Sequence, residues 1–190
     1  MTGETFAGFT AAAGRLAWID FEASSLNPGS FPTEVGWAII STGTVVSGGW
    51  LIRPLPEWLA APGAWSAESE RLTGISRDML DRHGHPCAEV VNRLTAAIGG
   101  RLLLSDNPPF DTHWFTMLFK AAGVTTAGWA IEDTDGFEVA TTRTSPRRID
   151  RLVLDIAAVR DSPTKHRAEP DARRPALRWG MLAGLVTFPP

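Results

Sequence analysis

The sequence contains no tyrosine and only one cysteine, Cys87, among its 190 residues. A single cysteine excludes a disulfide within the chain, and nothing in the composition indicates an oxidising compartment. No apolar run approaches the roughly 18 residues that a membrane-spanning helix requires. Residues 1–14 include Glu4 and have no basic segment ahead of their apolar residues, which is atypical of a signal peptide. These absences predict a cytoplasmic protein with no membrane segment.

The chain also lacks an excess of positive charge, since 18 basic and 21 acidic residues give a net charge of -3. Any affinity for a polyanion would therefore come from a local basic surface or from bound cations, and not from the field of the whole protein. Hydrophobic residues make up 44% of the chain and charged residues 21%, which is typical of a globular domain. We expect one domain at residues 15–186, with an extension at 1–14 and a tail at 187–190.

Hydrophobic periodicity predicts a chain that begins with strands and continues with alternating helices and strands. Strands are predicted at 15–23, 34–41, 44–53, 101–105 and 129–131. Helices are predicted at 66–72, 87–98, 110–122, 147–159 and 170–186. Three leading strands followed by such alternation are typical of an α/β fold, in which helices cover both faces of a mixed sheet.

Two acidic residues, Asp20 and Glu22, lie near the carboxyl end of the first predicted strand, in the segment LAWIDFE. Residues two apart in a strand point to the same face, so both carboxylates are expected to project to one spot. Such a pair repels and is costly to desolvate unless water or a cation neutralises it. The alternatives are a solvated strand end and a site for a hard divalent cation, which prefers oxygen ligands.

Further acidic residues and a histidine occur at junctions between predicted elements. Asp111 closes the segment NPPFD, where a strand gives way to a helix, and it is also suited to capping that helix. Asp106 competes with Asp111 for a functional role. His166 and Asp171 bound the segment HRAEPD at the entry to the last predicted helix. Because histidine changes protonation near neutral pH, His166 suits the role of a general base.

Together, these three segments resemble the motifs of the DEDDh 3'-5' exonucleases. The resemblance implies an RNase H-like fold, with three α/β/α layers built on a five-stranded mixed sheet. It implies two divalent cations, Mg²⁺ or Mn²⁺, and a histidine that activates water. It also implies release of nucleoside 5'-monophosphates from the 3' end of a nucleic acid. The residues in these roles are the metal ligands Asp20, Glu22, Asp111 and Asp171 and the catalytic His166.

The absence of tyrosine bears on the subgroup, because the DEDDy enzymes carry tyrosine where this chain has His166. Family members usually carry threonine and glycine at the positions of Ser24 and Ser25, so the contacts to the terminal nucleotide are less defined. Basic residues flank the third segment, Arg174 among them, and a phosphate contact and a solvated face are equal alternatives for them. The residues expected to contact substrate are Ser24, Ser25, Trp65, Leu72, Phe110 and Arg167.

The sequence leaves the substrate open. The partners implied by the resemblance are 3' ends of single-stranded DNA or RNA, and a homodimer is one alternative for the assembly. An oligoribonuclease-like enzyme acting on very short oligonucleotides is a second interpretation, and a non-catalytic nucleic-acid-binding module is a third. His83, His85 and Cys87 are of zinc-ligand types, but without a separated fourth ligand they are expected to form a loop before a helix.

Overall fold

A computed structural model describes residues 12–142, 151–162, 164 and 166–187 of the chain. Most of the predicted extension at 1–14 and tail at 187–190 lies outside these residues. The strands are β1 Leu16–Ala23, β2 Pro32–Ser41, β3 Thr44–Leu51, β4 Leu102–Ser105 and β5 Ile131–Asp133. The helices are α1 Pro56–Leu59, α2 Ala67–Thr73, α3 Arg77–His83, α4 Cys87–Ile98, α5 Pro108–Ala121, α6 Thr134–Thr142, α7 Arg151–Asp161 and α8 Ala168–Ala183.

The strands form a five-stranded mixed sheet in the order β3-β2-β1-β4-β5. β1 pairs antiparallel with β2 and parallel with β4, so the antiparallel and parallel halves of the sheet meet at β1. β5 extends the parallel half, with Leu103 opposite Ile131. The carboxyl ends of β1 and β4 therefore open onto the same edge of the sheet, which is where α/β folds commonly place their sites.

Both faces of the sheet carry a hydrophobic layer, and β1 contributes to each. Ile19 and Phe21 pack in the layer that contains α4 and α5. Trp18 points the other way, into the layer that contains α7 and α8. The alternation follows from the two-residue period of a strand that is buried on both sides. The predicted α/β class, a mixed five-stranded sheet with helices on both faces, is confirmed.

The first turn of α8 lies directly against β2 and β3. A Cβ atom at Gly36 would lie 2.0 Å from the carbonyl carbon of Ala168, so only glycine permits this approach. A Cβ atom at Gly49 would lie 3.2 Å from the Cβ of Glu169. Pro170 fits in this turn because an N–H there would have no partner within the helix. The packing brings the start of α8 next to the carboxyl end of β1.

Element boundaries differ from the predictions mainly in the second half of the chain. The last strand is Ile131–Asp133 rather than 129–131, because its position follows the pairing with β4. The last helix begins at Ala168 and ends before Gly184, which has a φ of 76°. The helix predicted at 147–159 corresponds to α7, and its predicted first residues lie outside the described part. Within the described ranges, no helix is both long and apolar enough to cross a membrane.

Candidate active site

Three carboxylates meet at the carboxyl end of β1. Asp20, Glu22 and Asp171 each offer an oxygen, and these oxygens lie within 4.8 Å of one another. Asp20 and Glu22 project from the same face of β1, and Asp171 reaches them from the first turn of α8. All three residues are half-buried, so the group of oxygens remains open to solvent. We call these three residues the carboxylate trio.

Asp111 lies beside the carboxylate trio, in the first turn of α5, and is 2% exposed. Its Oδ2 accepts a hydrogen bond from the Ser105 hydroxyl, and the backbone N–H of Phe21 also donates to this carboxylate. The N-cap residue of α5 is Asn107, so Asp111 is not the helix cap. Asp111 is near enough to raise the pKa of Asp20, although its oxygens lie outside the group within 4.8 Å.

The pKa values of these acids are raised because their carboxylates are largely withdrawn from water and lie next to other carboxylates. Burial raises the pKa of Asp20 well above its ordinary value, and the charges of Asp111, Glu22 and Asp171 raise it further. Burial, followed by the charges of Asp171 and Glu34, raises the pKa of Glu22 to about 8. Burial also raises the pKa of Asp111 to about 7 in spite of its two hydrogen bonds. A site of this kind favours bound protons or cations.

His166 lies exposed at the rim of the same site. Its backbone has a φ of 56°, in the left-handed region that residues other than glycine rarely adopt. Its backbone N–H donates to Oδ2 of Asp171 at 3.0 Å. Unfavourable backbone conformations persist only where the surrounding contacts enforce them, and they concentrate at functional sites. The loop thus holds His166 next to the carboxylate trio at a conformational cost.

Two cavities meet at the carboxylates and His166. The first, which we call the apolar cleft, has a volume of about 360 Å³. Besides the carboxylates, it is lined by the exposed apolar side chains of Leu26, Leu72 and Phe110, of which the last two are predicted substrate contacts. The second, the charged cavity, has a volume of about 490 Å³ and includes Asp106 among its lining residues. The site therefore has one wall suited to an apolar or aromatic group and one that is strongly charged.

Ser24 and Ser25 lie in the protein interior and not among the residues that line the cleft. They are 2% and 1% exposed. The hydroxyl of Ser24 accepts a hydrogen bond from the N–H of Phe31 at 2.9 Å, and the hydroxyl of Ser25 donates to the carbonyl of Gly63 at 2.8 Å. Both side chains thus stabilise the turn that follows β1. Contrary to expectation, neither hydroxyl faces the cleft.

Trp65 and Arg167 also lie apart from the residues that line the two cavities. Nε1 of Trp65 donates to the carboxylate of Glu70 at 2.8 Å. The guanidinium of Arg167 forms a bidentate ion pair with Glu34. The polar groups of both side chains are therefore used within the protein.

Two charged residues lie next to the carboxylate trio: Arg174, for which a phosphate contact and a solvated face were the alternatives, and Glu34, which the sequence did not indicate. Arg174 binds the carboxylate of Asp171, and its Nε donates to the carbonyl of Ser162 at 2.9 Å. Glu34 lies on β2 directly opposite Glu22. The three-residue spacing between Asp171 and Arg174 on a predicted helix indicates that the two side chains can form an ion pair. No local feature marks Glu34, whose partner is distant in sequence.

His83, His85 and Cys87 are not brought together as a group of potential ligand atoms. Among the described residues, the carboxylate trio is the only group of at least three His, Cys, Asp or Glu with ligand atoms close enough to share an ion. His85 instead lies 3.3 Å from a carboxylate oxygen of Glu89, and Cys87 is buried. The expected loop before α4 is limited to residues 84–86, because His83 ends α3 and Cys87 begins α4.

Comparison with known proteins gives matches to solved structures, whereas no family model and no curated protein matches the sequence. Exonuclease I from Methylocaldum szegediense is 19% identical with a TM-score of 0.60, over 87% of this chain and 40% of that one. Cell-death related nuclease 4 is 13% identical with a TM-score of 0.62, over 90% and 64%. The nuclease domain of 3'hExo, a DEDDh family member bound to rAMP, is 16% identical with a TM-score of 0.59, over 89% and 92%.

The chain has a DEDDh exonuclease-like fold. The RNase H-like α/β architecture expected from the sequence is thereby confirmed. The chain spans about 40% of the length of the exonuclease I from Methylocaldum szegediense, and 92% of the 3'hExo nuclease domain. At identities of 13% to 19%, these matches concern the fold, and the chemistry has to be inferred from the side chains of the site.

The raised carboxylate pKa values in this DEDDh-like fold predict that the metal-free protein loses stability as pH rises. In the unfolded chain Glu22 titrates near its ordinary value of 4.5, whereas its pKa in the folded protein is about 8. The folded state therefore binds more protons between these values, and the free energy of unfolding falls as pH increases through them. Urea unfolding of EDTA-treated protein, at several pH values across this window, measures the slope.

Glu22→Gln is the control for this pH dependence, because it removes the titrating group and keeps the shape of the side chain. The variant is expected to show a shallower fall in the free energy of unfolding than the wild type. A wild-type protein that gains stability toward high pH, or a variant with an unchanged slope, would contradict the raised pKa of Glu22.

Proposed function

We propose that the chain is a metal-dependent 3'-5' exonuclease that hydrolyses phosphodiester bonds at the 3' end of single-stranded nucleic acid and releases nucleoside 5'-monophosphates. One observation supports this most directly: Asp20, Glu22 and Asp171 present oxygens within 4.8 Å of one another, with His166 beside them at the edge of a cleft. Exonucleases are among the proteins that share this fold. We assign the activity to a domain at residues 15–186.

The carboxylate trio fits hard divalent cations, and we propose that two ions, Mg²⁺ or Mn²⁺, bind there. These ions prefer oxygen ligands, and every potential donor of the trio is a carboxylate. Burial, followed by the charges of neighbouring carboxylates, raises the pKa values of Asp20 and Glu22, and bound cations would offset both effects. Asp20, Glu22 and Asp171 would hold the ions, and Asp111 completes the set from beside Asp20. When bound, the ions stabilise the charge that develops on the phosphate oxygens.

His166 is the proposed general base. Its imidazole accepts a proton from the attacking water, because histidine is the side chain that most readily exchanges a proton near neutral pH. The hydrogen bond from its backbone N–H to Asp171 ties this base to the carboxylate trio. Since the side chain is exposed, the proton passes to solvent after each turnover.

The apolar cleft accounts for the proposed preference for a single-stranded end. Its volume of about 360 Å³ admits one nucleotide and lies at the small end of the range for ligand sites. Leu26, Leu72 and Phe110 would contact the face and edges of the terminal base, which is then not available for pairing. A complex of E. coli exonuclease I with single-stranded DNA is among the structural matches and supports this substrate class.

Replacing Phe110 with alanine is expected to raise the KM for a single-stranded oligonucleotide roughly 5- to 150-fold and to change kcat little. Stacking of a base on an aromatic ring contributes about 1–3 kcal/mol, which corresponds to that range. Phe110 is 39% exposed at the wall of the cleft and stacks on Trp114, so its ring is available to a base. Steady-state kinetics on a labelled oligonucleotide measure both constants.

The control for Phe110→Ala is Val124→Ala, which removes an exposed apolar side chain outside the cleft lining. This variant is expected to match the wild type in both constants. A Phe110→Ala variant that lost kcat at an unchanged KM would contradict the proposed base contact.

Hydrolysis of a 5'-labelled oligonucleotide tests the proposed function. With Mg²⁺ or Mn²⁺ the label is expected to pass through progressively shorter products while nucleoside 5'-monophosphates accumulate, and EDTA is expected to abolish the reaction. Immediate release of the label as a mononucleotide would show the opposite direction. Binding without hydrolysis would identify a non-catalytic module. Hydrolysis rates on DNA and RNA oligonucleotides of the same sequence show which nucleic acid the enzyme prefers. A length series from the dinucleotide upward identifies an oligoribonuclease-like enzyme.

A further inference from the structure

An ion pair between the buried Glu34 and the partly exposed Arg167 joins the sheet to the segment that carries His166. Glu34, on β2, is 5% exposed. Its Oε2 accepts hydrogen bonds from Nε of Arg167 at 2.9 Å and from the backbone N–H of Ala168 at 3.0 Å. Its Oε1 accepts from Nη2 of Arg167 at 2.5 Å. Both carboxylate oxygens are therefore occupied by the two residues that follow His166.

The hydrophobic packing of β2 does not require a carboxylate at this position. Burial of a charge is costly unless the charge is paired and hydrogen-bonded. Glu34 also stands directly opposite Glu22 in the antiparallel ladder, where like charges repel. The charge of Glu34 raises the pKa of Glu22, and the charge of Arg167 lowers it. A carboxylate with both of these costs points to a role other than packing.

The His166 segment is held from several directions. On one side Glu34 binds the two residues that follow His166, and on the other Oδ2 of Asp171 accepts the N–H of His166 at 3.0 Å. Beneath them, Gly36 lets the first turn of α8 rest directly on the backbone of β2. His166 itself has a φ of 56°, which is unfavourable for a residue other than glycine. These contacts oppose relaxation of the backbone at His166.

We propose that Glu34 and Arg167 are positioning residues that hold His166 within reach of the attacking water. The inference rests on the proposed exonuclease function, because it gives both residues a part in placing the proposed general base. The planar guanidinium of Arg167 matches the two oxygens of Glu34 in a fork that a lysine cannot form. Since these donors are engaged, Arg167 acts through His166 rather than as the substrate contact expected from the sequence.

Glu34→Gln tests the inference, because glutamine keeps the shape of the side chain and removes the charge that binds the guanidinium. We expect kcat to fall about 10- to 100-fold, the effect of a misplaced catalytic group, with KM unchanged. In a His166→Ala background the same substitution is expected to cause no further loss, since residues that act through one group are not additive. A wild-type kcat in Glu34→Gln, or an equal loss in both backgrounds, would overturn the positioning role.

Amide hydrogen exchange provides a readout that does not depend on activity. A peptide covering residues 166–171 is expected to exchange faster in Glu34→Gln than in the wild type, because the segment loses an anchor. Unchanged exchange would overturn the inference. If the wild-type protein showed no metal-dependent hydrolysis, the proposed function would be overturned. The exchange measurement would still show whether Glu34 holds the segment at residues 166–171.

Arg167→Lys serves as a second variant if Glu34→Gln folds poorly, because it keeps the charge opposite Glu34 and loses only the fork. Like Glu34→Gln, this variant is expected to show a lower kcat and faster amide exchange at residues 166–171, with a smaller fall in kcat. A variant with the wild-type kcat and the wild-type exchange rate would contradict the inference. The matched control is Glu89→Gln, which removes the carboxylate partner of Arg93 on α4. This control is expected to equal the wild type in every measurement.

Discussion

Replacing Asp20 with asparagine is expected to lower metal-dependent hydrolysis by about 10³-fold or more and to make the metal-free protein more stable. Asp20 is central to the site, since Asp111, Glu22 and Asp171 all raise its pKa. Loss of an anionic ligand that supports about 4 kcal/mol of transition-state stabilisation corresponds to a rate factor of about 10³. The substitution also removes repulsion, so we expect about 1–2 kcal/mol of added stability, or about 2–8 °C in Tm, above neutral pH.

Opposite changes in activity and stability separate a ligand role for Asp20 from a folding role, because a residue needed for the fold would lose both. Initial rates with Mn²⁺ and thermal unfolding in EDTA measure the two effects. Asp81→Asn removes an exposed carboxylate on α3 and is expected to change neither. Full activity in Asp20→Asn, or a lower Tm in EDTA, would contradict the assignment of Asp20 as a metal ligand.

Replacing His166 with alanine is expected to lower kcat about 10²- to 10⁴-fold while Mn²⁺ affinity stays at the wild-type value. General-base catalysis contributes a factor of this size, and His166 adds no oxygen to the carboxylate trio. The side chain is exposed, so its truncation removes little packing. Alanine is no better suited than histidine to a φ of 56°, so the backbone cost is unchanged. Single-turnover rates and isothermal titration with Mn²⁺ measure the two quantities.

The matched control for His166→Ala is His113→Ala, because His113 is an exposed histidine on α5 outside the lining of both cavities. This variant is expected to keep the wild-type kcat. If His166→Ala kept full activity, or if it lost Mn²⁺ affinity together with activity, His166 would not be a general base that acts beside an intact metal site.

The convergence of the acidic residues could be anticipated in part from short segments. Asp20 and Glu22 share a face of β1 because side-chain direction alternates along any strand. Asp111 lies at the same edge because β1 and β4 are parallel and each leads to that edge at its carboxyl end. Ser24 and Ser25 could not be placed in this way, since their directions depend on hydrogen bonds to Phe31 and Gly63 across a turn.

The role of Arg167 shows where such local inference ends. Its position next to His166 favours a phosphate contact, but its partner Glu34 lies 133 residues earlier in the chain. That pairing arises from the packing of α8 on β2 at Gly36 and from the register of β2 against β1, which are long-range contacts.

Periodicity and residue chemistry are local properties, so they were sufficient for the five strands, for five of the helices and for the acidic pair on β1, whereas α1, α3 and α6 were not predicted. Contacts between distant segments determine which side chains line the apolar cleft and which ones hold His166. These features could therefore be identified only from the tertiary structure.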